Sequence, residues 1–230
     1  MDIGGFQGIS LLDYLGEVTS IVFTTGCNFR CPFCHNGELV QEAFEPVDDE
    51  VILEKLEERK DFITAITITG GEPTTQPDLI EFLEKLQDFG VSIKLDTNGS
   101  NPEVIKKIID EKLVDYFAMD IKAPFSMYNE VSGANVDIDR IKRSINLIRT
   151  QKDYEFRTTV IPDLLGPEKI KSTAKQVKGA KKYCLQQFEP RDQTISREFS
   201  DKRPYPPEKI KEVGEEIRDW FDKLEYRGME

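Results

Sequence analysis

Short apolar segments rich in β-branched residues alternate with longer amphipathic segments along this chain. The short segments predict strands, because β-branched side chains pack well on a pleated sheet, and they fall at 18–24, 65–69, 91–95, 116–121, 154–161 and 182–188. The longer segments carry apolar residues at helical spacing and predict helices at 48–60, 78–88, 102–112, 137–150, 167–178 and 208–226. In the last of these helices the apolar stripe includes Trp220 and Leu224, which predicts packing against the core.

A strand followed by a helix, repeated six times, is typical of parallel strands joined by right-handed crossovers. Eight such units take about 250 residues, so six units, with a glycine-rich β lead-in at 4–16, suit a chain of 230 residues. No linker or low-complexity tract divides the sequence. We therefore predict an α/β fold, a partial (β/α)6 TIM-like barrel, as one domain over 1–230. Its core lies at about 17–190, and a C-terminal connector and helix follow at about 203–227.

Unusual polar residues lie at or near the C-terminal end of every predicted strand. They are Cys27–Cys34, Gly70–Glu72, Asp96–Asn98, Asp120 with Lys122, Arg157 with Thr159, and Gln187–Glu189. In βα barrels the loops at this end meet around a common mouth, and the functional site lies there. Solvated surface charge would not be confined in this way, so we predict that these residues form one site.

Three of the four cysteines lie on the loop after the first strand, as Cys27, Cys31 and Cys34. Their C-x3-C-x2-C spacing lets the backbone wrap one inorganic centre, and three thiolates suit an iron–sulfur cluster with one iron left open for chemistry. A zinc site that adds His35 is an alternative by residue type, although adjacent Cys34 and His35 side chains point in different directions. A disulfide framework is disfavoured, because a chain of this length without a signal peptide indicates a reducing compartment.

The formal net charge of −12 narrows the choice of partners. It argues against nucleic acid, because the phosphate backbone requires a positive surface. No apolar run approaches the roughly 20 residues of a membrane span, and the N-terminus lacks the basic and apolar regions of a secretion signal. We therefore expect a cytoplasmic protein that binds neither nucleic acid nor membrane.

The other strand-end residues suit a ligand that carries charges of both signs. The two glycines of Gly70–Glu72 let the backbone approach a ligand closely, because no Cβ stands in the way, and the glutamate offers an acceptor for an ammonium group. Asp96 and Asp120 would converge at the mouth and require a cation between them. Lys122 points the same way as Asp120 by strand alternation and offers an ammonium group for a carboxylate.

Four motifs resemble the radical S-adenosylmethionine (SAM) superfamily and, within it, the activating enzymes of glycyl radical enzymes. They are Cys-Asn-Phe-Arg-Cys-Pro-Phe-Cys-His-Asn at 27–36, Gly-Gly-Glu-Pro at 70–73, Asp-Thr-Asn-Gly at 96–99 and Asp-Ile-Lys at 120–122. The lead-in and the cysteine loop look most like the anaerobic ribonucleoside-triphosphate reductase activators of archaeal type. The resemblance spans about 4–190.

The resemblance implies a radical SAM core with two cofactors. These are a [4Fe-4S] cluster with three Cys ligands, Cys27, Cys31 and Cys34, and SAM itself. It also implies that Asp96, Thr97 and Asp120 hold a monovalent cation beside SAM. We assign cofactor binding to Phe33, Asn36, Gly70, Gly71, Glu72, Asn98, Lys122, Arg157 and Phe188.

The implied reaction is reductive cleavage of SAM to methionine and a 5'-deoxyadenosyl radical, which takes a hydrogen from a glycine Cα of a partner enzyme. An electron donor such as flavodoxin or ferredoxin would supply the electron. Two positions depart from the family pattern, because Leu15 stands in place of a proline and Phe188 in place of a histidine. Phe188 is therefore expected to stack on the adenine instead, and Cys184 is expected to be a core residue rather than a ligand.

Two other functions stay open from the sequence alone. A radical SAM enzyme that acts on a small molecule, such as a deazapurine-forming enzyme, would have a substrate pocket closed by its own loops. A non-enzymatic zinc or cluster-binding interaction module would bind no SAM, and it would have no use for Asp96, Asp120 and Lys122 at one mouth.

Overall fold

The structure is a computed structural model that describes residues 1–41, 45–190 and 194–229. A single curved sheet organises it. Its eight strands neighbour one another in chain order. The strands are β1 (Ile3–Ser10), β2 (Thr19–Thr24), β3 (Ala65–Gly70), β4 (Ser92–Thr97), β5 (Tyr116–Asp120), β6 (Tyr154–Val160), β7 (Lys182–Gln187) and β8 (Lys223–Arg227). The α-helices of the described residues are α1 (Gly37–Val40), α2 (Asp49–Glu57), α3 (Leu79–Gln87), α4 (Pro102–Asp110), α5 (Tyr128–Ser132), α6 (Ile138–Arg149), α7 (Pro167–Lys175) and α8 (Pro207–Ile217).

The lead-in strand β1 pairs antiparallel with β2, and every later pair of neighbouring strands is parallel. Ile3 lies opposite Thr24 and Ser10 opposite Thr19, so the turn of this hairpin lies at the N-terminal ends of the parallel strands. Strands β1 and β8 form the two edges of the sheet, which leaves the barrel open. The predicted fold class, α/β with a partial barrel, is confirmed.

The outer face of the sheet and the helices enclose the apolar core. Helix α3 shows why these segments are helical, because Leu79, Phe82, Leu83 and Leu86 fall on one stripe and are all buried. Asp48 and Asp137 cap the N-termini of α2 and α6. Each side chain accepts a hydrogen bond from the backbone N–H group two residues further on, at 3.0 Å in each case. Within the described residues, no helix combines the length and the apolar character needed to cross a membrane.

The inner face of the sheet is polar, unlike the outer face. On β4, Ile93 and Leu95 belong to the apolar core, whereas Lys94 between them faces the lumen and is only 2% exposed. Alternation of side chains along a strand sends Asp96 the same way as Lys94. The lumen of the barrel is therefore lined by charged groups that must find partners inside it.

The C-terminal segment differs from the sequence prediction. The predicted helix over 208–226 is wrong beyond its middle, because α8 ends at Ile217 and a 3-10 turn leads into β8. Lys-Leu-Glu-Tyr-Arg at 223–227 alternates with the period of a strand, and β8 pairs with β7 in parallel. Gly214 of α8 makes room for this strand, since a Cβ there would lie 1.9 Å from the Tyr226 hydroxyl oxygen.

Strand β8 supplies the counter-ion for a buried carboxylate. Arg227 donates from Nη1 and Nη2 to the two carboxylate oxygens of Glu155, at 2.7 and 2.6 Å. Lys182 Nζ lies 3.3 Å from the same group, and the Tyr116 hydroxyl donates to it at 3.0 Å. Burial alone would raise the pKa of Glu155, but the hydrogen bonds and charge of Arg227 and the other nearby cations outweigh burial and lower it to about 2.

We predict that Glu155→Gln lowers the free energy of unfolding by about 3 kcal/mol at neutral pH. The change removes the most buried counter-charge of Arg227 and Lys182 and leaves them with Glu225, at 3.4 and 3.1 Å. A carboxyl whose folded pKa is lowered stabilises the fold above its unfolded pKa, and this stabilisation is lost as the pH falls through the folded value. For Glu155 the loss should occur between about pH 5 and about pH 2, and the variant should lack that part of the acid dependence.

Urea unfolding across this pH range measures both effects. Glu58→Gln is the matched control, because Glu58 pairs with Arg59 at 3.0 Å on the surface, where such pairs contribute well under about 1 kcal/mol. Equal stability of the two variants would contradict the assignment of Glu155 as the buried partner of β8.

Candidate active site

The cysteine loop begins directly after β2, at the C-terminal ends of the parallel strands. Cys31 is buried, Cys27 and Cys34 are half-buried, and all three are free thiols, as is Cys184. The loop turns back on itself through a hydrogen bond from the Cys34 N–H to the Cys31 carbonyl, 3.0 Å. This hydrogen bond places Cys31 and Cys34 on one tight turn, and Cys27 lies four residues earlier on the same loop. Cys184 is enclosed on β7.

The chemistry of this donor set fits an iron–sulfur cluster. Burial raises the pKa of Cys27 to about 11 and that of Cys31 to about 12, and the charges of the cysteines act on one another. Without metal the thiols are protonated at neutral pH, so binding of a cluster releases protons. The Phe29 N–H already donates to the Cys27 sulfur at 3.3 Å, as a hydrogen bond to a metal-bound thiolate would.

A single zinc ion fits this loop less well. Across the described ranges 1–41, 45–190 and 194–229, no three His, Cys, Asp or Glu side chains are gathered so that they could hold one metal ion. A zinc ion requires its ligands to converge on a single point. A four-iron cluster takes each thiolate on a different iron and has no such requirement.

Backbone contacts from other strand ends hold the loop in place. The Glu72 N–H donates to the Gly26 carbonyl at 2.8 Å, and a Cβ on Gly71 would lie 1.8 Å from that same oxygen. On the other side, the Arg30 N–H donates to the Ser132 carbonyl at 2.8 Å. Gly133 follows in a left-handed conformation, φ +61°, and approaches Arg30 so closely that a Cβ would lie 2.2 Å from its carbonyl oxygen.

Two further contacts complete this brace. Asn36 donates from Nδ2 to the Gly70 carbonyl at 3.0 Å, and the Ser196 N–H donates to the Pro32 carbonyl at 2.8 Å. Two carbonyl groups, of Gly70 and Ser132, and two backbone N–H groups, of Glu72 and Ser196, thus fix a loop that has little regular structure of its own. The predicted site residues Gly70, Gly71 and Asn36 all lie at this brace.

Glu72 lies inside the protein rather than at the mouth. Its side chain is 1% exposed. One oxygen accepts from the Thr74 N–H at 3.1 Å and from the Thr97 hydroxyl at 2.7 Å, and the other accepts from the Asn98 N–H at 2.6 Å. Burial raises the pKa of this carboxyl. Glu72 therefore ties the end of β3 to the end of β4, and contact with an ammonium group of a ligand stays a prediction.

Five charged side chains alternate in sign across the lumen. Lys94 Nζ lies 2.7 Å from Asp96, and Arg157 donates to Asp96 from Nη1 at 3.1 Å. Arg157 also donates from Nε to Asp120 at 2.8 Å. Lys122 donates to the other oxygen of Asp120 at 2.8 Å and ends the series on the side of the cysteine loop.

The charges in this series stabilise one another. Burial alone would raise the pKa of Asp120, but the Arg157 and Lys122 cations outweigh it and hold the pKa well below its usual range. Burial alone would lower the pKa of Lys122, but Asp120 outweighs it and raises the pKa above the usual value. Within this series three cations face two carboxylates, so the series carries one excess positive charge, which suits an anionic group of a ligand.

The residues assigned to a monovalent cation are already engaged. The Arg157 guanidinium lies between Asp96 and Asp120, where the sequence predicts a cation. The Thr97 hydroxyl donates to Glu72 instead of facing the two aspartates. The guanidinium occupies the place between the two aspartates, so a metal cation does not fit there unless Arg157 moves.

Aromatic rings from other segments pack against rings of the cysteine loop. Phe33 and Phe188 each lie 6.3 Å from the ring of Phe199, measured between centroids, and His35 lies 5.7 Å from Phe188. Phe188 is fully buried. Its ring packs against His35 of the loop and against Phe199, and the predicted stacking on adenine stays a prediction.

The sequence prediction missed several residues that build the site. Lys94 has a readable signal, because it precedes Asp96 by two residues on one strand. Alternation places these two side chains on the same face, as it does those of Asp120 and Lys122. The contacts of Ser132 and Phe199 had none. Both residues lie far from the cysteines in the sequence, and only the folded chain brings them to the loop.

The chain is similar to several known proteins. The family model for the radical SAM superfamily matches residues 21–177. A candidate glycyl-radical enzyme activating enzyme of Methanocaldococcus jannaschii is 36% identical over 232 residues, which cover 98% of this chain and 95% of that protein. The 7-carboxy-7-deazaguanine synthase of Methanopyrus kandleri is 33% identical over 132 residues, which cover 48% of this chain and 52% of that protein.

A solved structure supports the fold alone. SuiB of Streptococcus suis, bound to its precursor peptide SuiA, superimposes with a TM-score of 0.66 at 15% identity. The match covers 90% of this chain and 48% of that one. At this identity the likeness shows a shared architecture and says nothing of substrate.

We predict that Gly71→Ala displaces the cysteine loop, because its Cβ would overlap the Gly26 carbonyl oxygen. Such overpacking costs about 1–3 kcal/mol, and the variant should take up much less iron on reconstitution while its helical circular dichroism stays unchanged. Gly166→Ala is the control, since nothing lies within 4 Å of the added carbon. Full iron content in Gly71→Ala would show that this close approach does not position the loop.

Proposed function

The chain belongs to the radical SAM superfamily, and on that premise we propose that it is an activating enzyme that generates a glycyl radical on a partner enzyme. The observation that carries the proposal is the correspondence, over nearly the whole of both chains, with a candidate activating enzyme. The lead-in and cysteine-loop motifs favour anaerobic ribonucleoside-triphosphate reductase as the partner.

Different residues at the mouth would bind the cluster and SAM. Cys27, Cys31 and Cys34 would hold a [4Fe-4S] cluster, and the fourth iron would be left for SAM. When bound, the cluster supplies one electron to the SAM sulfonium, whose carbon–sulfur bond breaks to give methionine and a 5'-deoxyadenosyl radical. The chain itself positions these groups and keeps them from side reactions.

The charged series in the lumen would receive the carboxylate of SAM. Lys122 ends the series on the side of the cysteine loop, and its charge acts on Cys31. Because the series is net positive, it has one cation more than its own carboxylates require. We propose that Lys122 and Arg157 turn toward the SAM carboxylate and so orient the sulfonium over the cluster, which is a role in positioning rather than in chemistry.

The cation site is proposed on the same reasoning. If Arg157 turns to the SAM carboxylate, Asp96 and Asp120 lose the guanidinium that now neutralises them. Asp96 would keep Lys94 as a partner, but Asp120 would lose both of its cations, because Lys122 turns to SAM as well. A buried carboxylate without a cation is unfavourable, so a monovalent cation would take the vacated place. SAM and the cation would then bind cooperatively, with neither favoured alone.

This coupling gives a prediction for SAM binding. The affinity for SAM should rise about fivefold or more when potassium replaces tetramethylammonium at constant ionic strength, which is the size of a typical coupling between two sites. Equilibrium dialysis with reconstituted protein measures it. Equal affinities in the two salts would exclude a cation site between Asp96 and Asp120.

The partner and the reductant follow from the class of reaction. The hydrogen would come from a glycine Cα of the partner enzyme, and the electron from a low-potential carrier such as flavodoxin or ferredoxin. The proposed cluster requires the cysteines of this loop in their reduced form, which suits the cytoplasm.

A second candidate is a radical SAM enzyme that acts on a small molecule. The match to 7-carboxy-7-deazaguanine synthase favours it, although that match covers about half of each chain. Such an enzyme would consume SAM with a free deazapurine precursor and without a protein partner. The two candidates therefore differ in whether the radical ends on a polypeptide.

The experiment that tests the proposal is anaerobic. We expect dithionite-reduced, reconstituted protein to cleave SAM to 5'-deoxyadenosine, and Cys31→Ala to abolish this turnover. Cys184→Ala is the matched control and should retain it, because Cys184 lies on β7 away from the cysteine loop.

Addition of purified anaerobic ribonucleotide reductase should produce a glycyl radical, visible by electron paramagnetic resonance (EPR). Formation of deazaguanine without a protein partner would favour the second candidate. No cleavage of SAM by protein with a full iron complement would overturn both.

A further inference from the structure

The sulfur of Cys27 has a side-chain neighbour from outside the cysteine loop. Asn98 Nδ2 lies 3.8 Å from Cys27 Sγ, within the distance of a hydrogen bond to sulfur, and approaches from the end of β4. Asn98 is buried, with 6% of its surface exposed. The same sulfur accepts from the Phe29 N–H at 3.3 Å. Cys27 therefore has one donor from its own loop and one from another strand end.

The contacts of Asn98 fix which end of its amide faces the sulfur. Its Oδ1 accepts from the Ser100 N–H at 2.9 Å, and a backbone N–H can only donate. The NH₂ group must therefore point the other way, toward Cys27. The Asn98 backbone N–H is also held, because it donates to Glu72 at 2.6 Å.

A second amide keeps this orientation in place. Asn98 Nδ2 donates to Asn28 Oδ1 at 2.9 Å, and Asn28 Nδ2 donates to the Ser100 hydroxyl at 2.8 Å. Asn28 follows Cys27 directly in the sequence. Asn98, Asn28 and Ser100 thus form a closed set of hydrogen bonds in which each amide has one orientation, and one N–H of Asn98 is left for the sulfur.

We propose that the side-chain amide of Asn98 donates a hydrogen bond to the Cys27 sulfur and so raises the reduction potential of the cluster bound there. Asn98 is thus a positioning residue for the electron-transfer step. The inference rests on the proposed function, since it requires the cluster. A hydrogen bond to a ligand sulfur stabilises the reduced cluster, because reduction adds negative charge that spreads onto the sulfurs. Asn98 therefore makes the cluster easier to reduce by the one electron that cleavage of SAM requires.

The test is an EPR-monitored redox titration of the reconstituted protein, with iron per chain measured on every sample. Asn98→Ala should lower the equilibrium constant for reduction about tenfold, which is a shift of about 59 mV to more negative potential for one electron. Ser100→Ala should leave the potential unchanged, because the backbone N–H that orients Asn98 stays. An equal shift in Ser100→Ala would mean that the set acts only as packing, and would overturn the proposal.

Two aspartate variants separate the hydrogen bond from charge. Asn98→Asp keeps an acceptor for the Ser100 N–H but cannot donate to sulfur, whereas Asn28→Asp adds the same charge beside Cys27 and leaves Asn98 in place. We expect a larger shift of the reduction potential in Asn98→Asp than in Asn28→Asp. If Asn98→Ala takes up no iron, the comparison of these two aspartate variants replaces it as the test. Equal shifts would overturn the proposal.

Failure of the proposed function gives a different result. A wild-type protein that assembles no cluster fails that function itself, whereas a full cluster whose potential does not respond to Asn98 fails only the present inference.

Discussion

The bridge that Arg157 makes between Asp96 and Asp120 is the interaction on which the inside of this barrel depends. Two carboxylates from neighbouring strands cannot be buried together without a cation between them. The guanidinium meets this need with directed hydrogen bonds to both. Lys94 and Lys122 extend the same alternation to either end. The apolar core is consequently displaced to the outer face, between the sheet and its helices.

The cysteine loop depends on a different kind of constraint, which is backbone shape. Its own residues make one short turn, and the remaining order comes from the carbonyl and N–H groups of other strand ends. Gly71 and Gly133 permit this because each approaches the loop more closely than any residue with a side chain can. The position of the loop is thus set by the barrel around it, although it contains no regular structure between β2 and α1.

Much of the fold could be predicted from the sequence, because alternation of strand and helix is a local pattern. The C-terminal strand could not, since Trp220 and Leu224 continue the helical stripe of α8 by coincidence of spacing, and only the free edge of β7 selects the extended form. For the site, the positions of Asp96, Asp120, Lys122 and Arg157 at or near strand ends predicted that these charged residues lie close together, as they do in the structure. The partner of each was less predictable, because Arg157 takes the place expected for a metal cation, and Glu72 turns inward to donors on another loop.

The charge-lined lumen also bears on how the protein responds to heat. The cost of removing charged groups from water falls as temperature rises, because their hydration becomes less favourable. Hydrophobic stabilisation per unit of buried area reaches a plateau over the same range. A barrel whose interior is held by ion pairs such as those of Arg157 and Glu155 therefore pays less for them in hot surroundings than in cold ones. The polar lumen is a feature that high temperature favours and that cold disfavours.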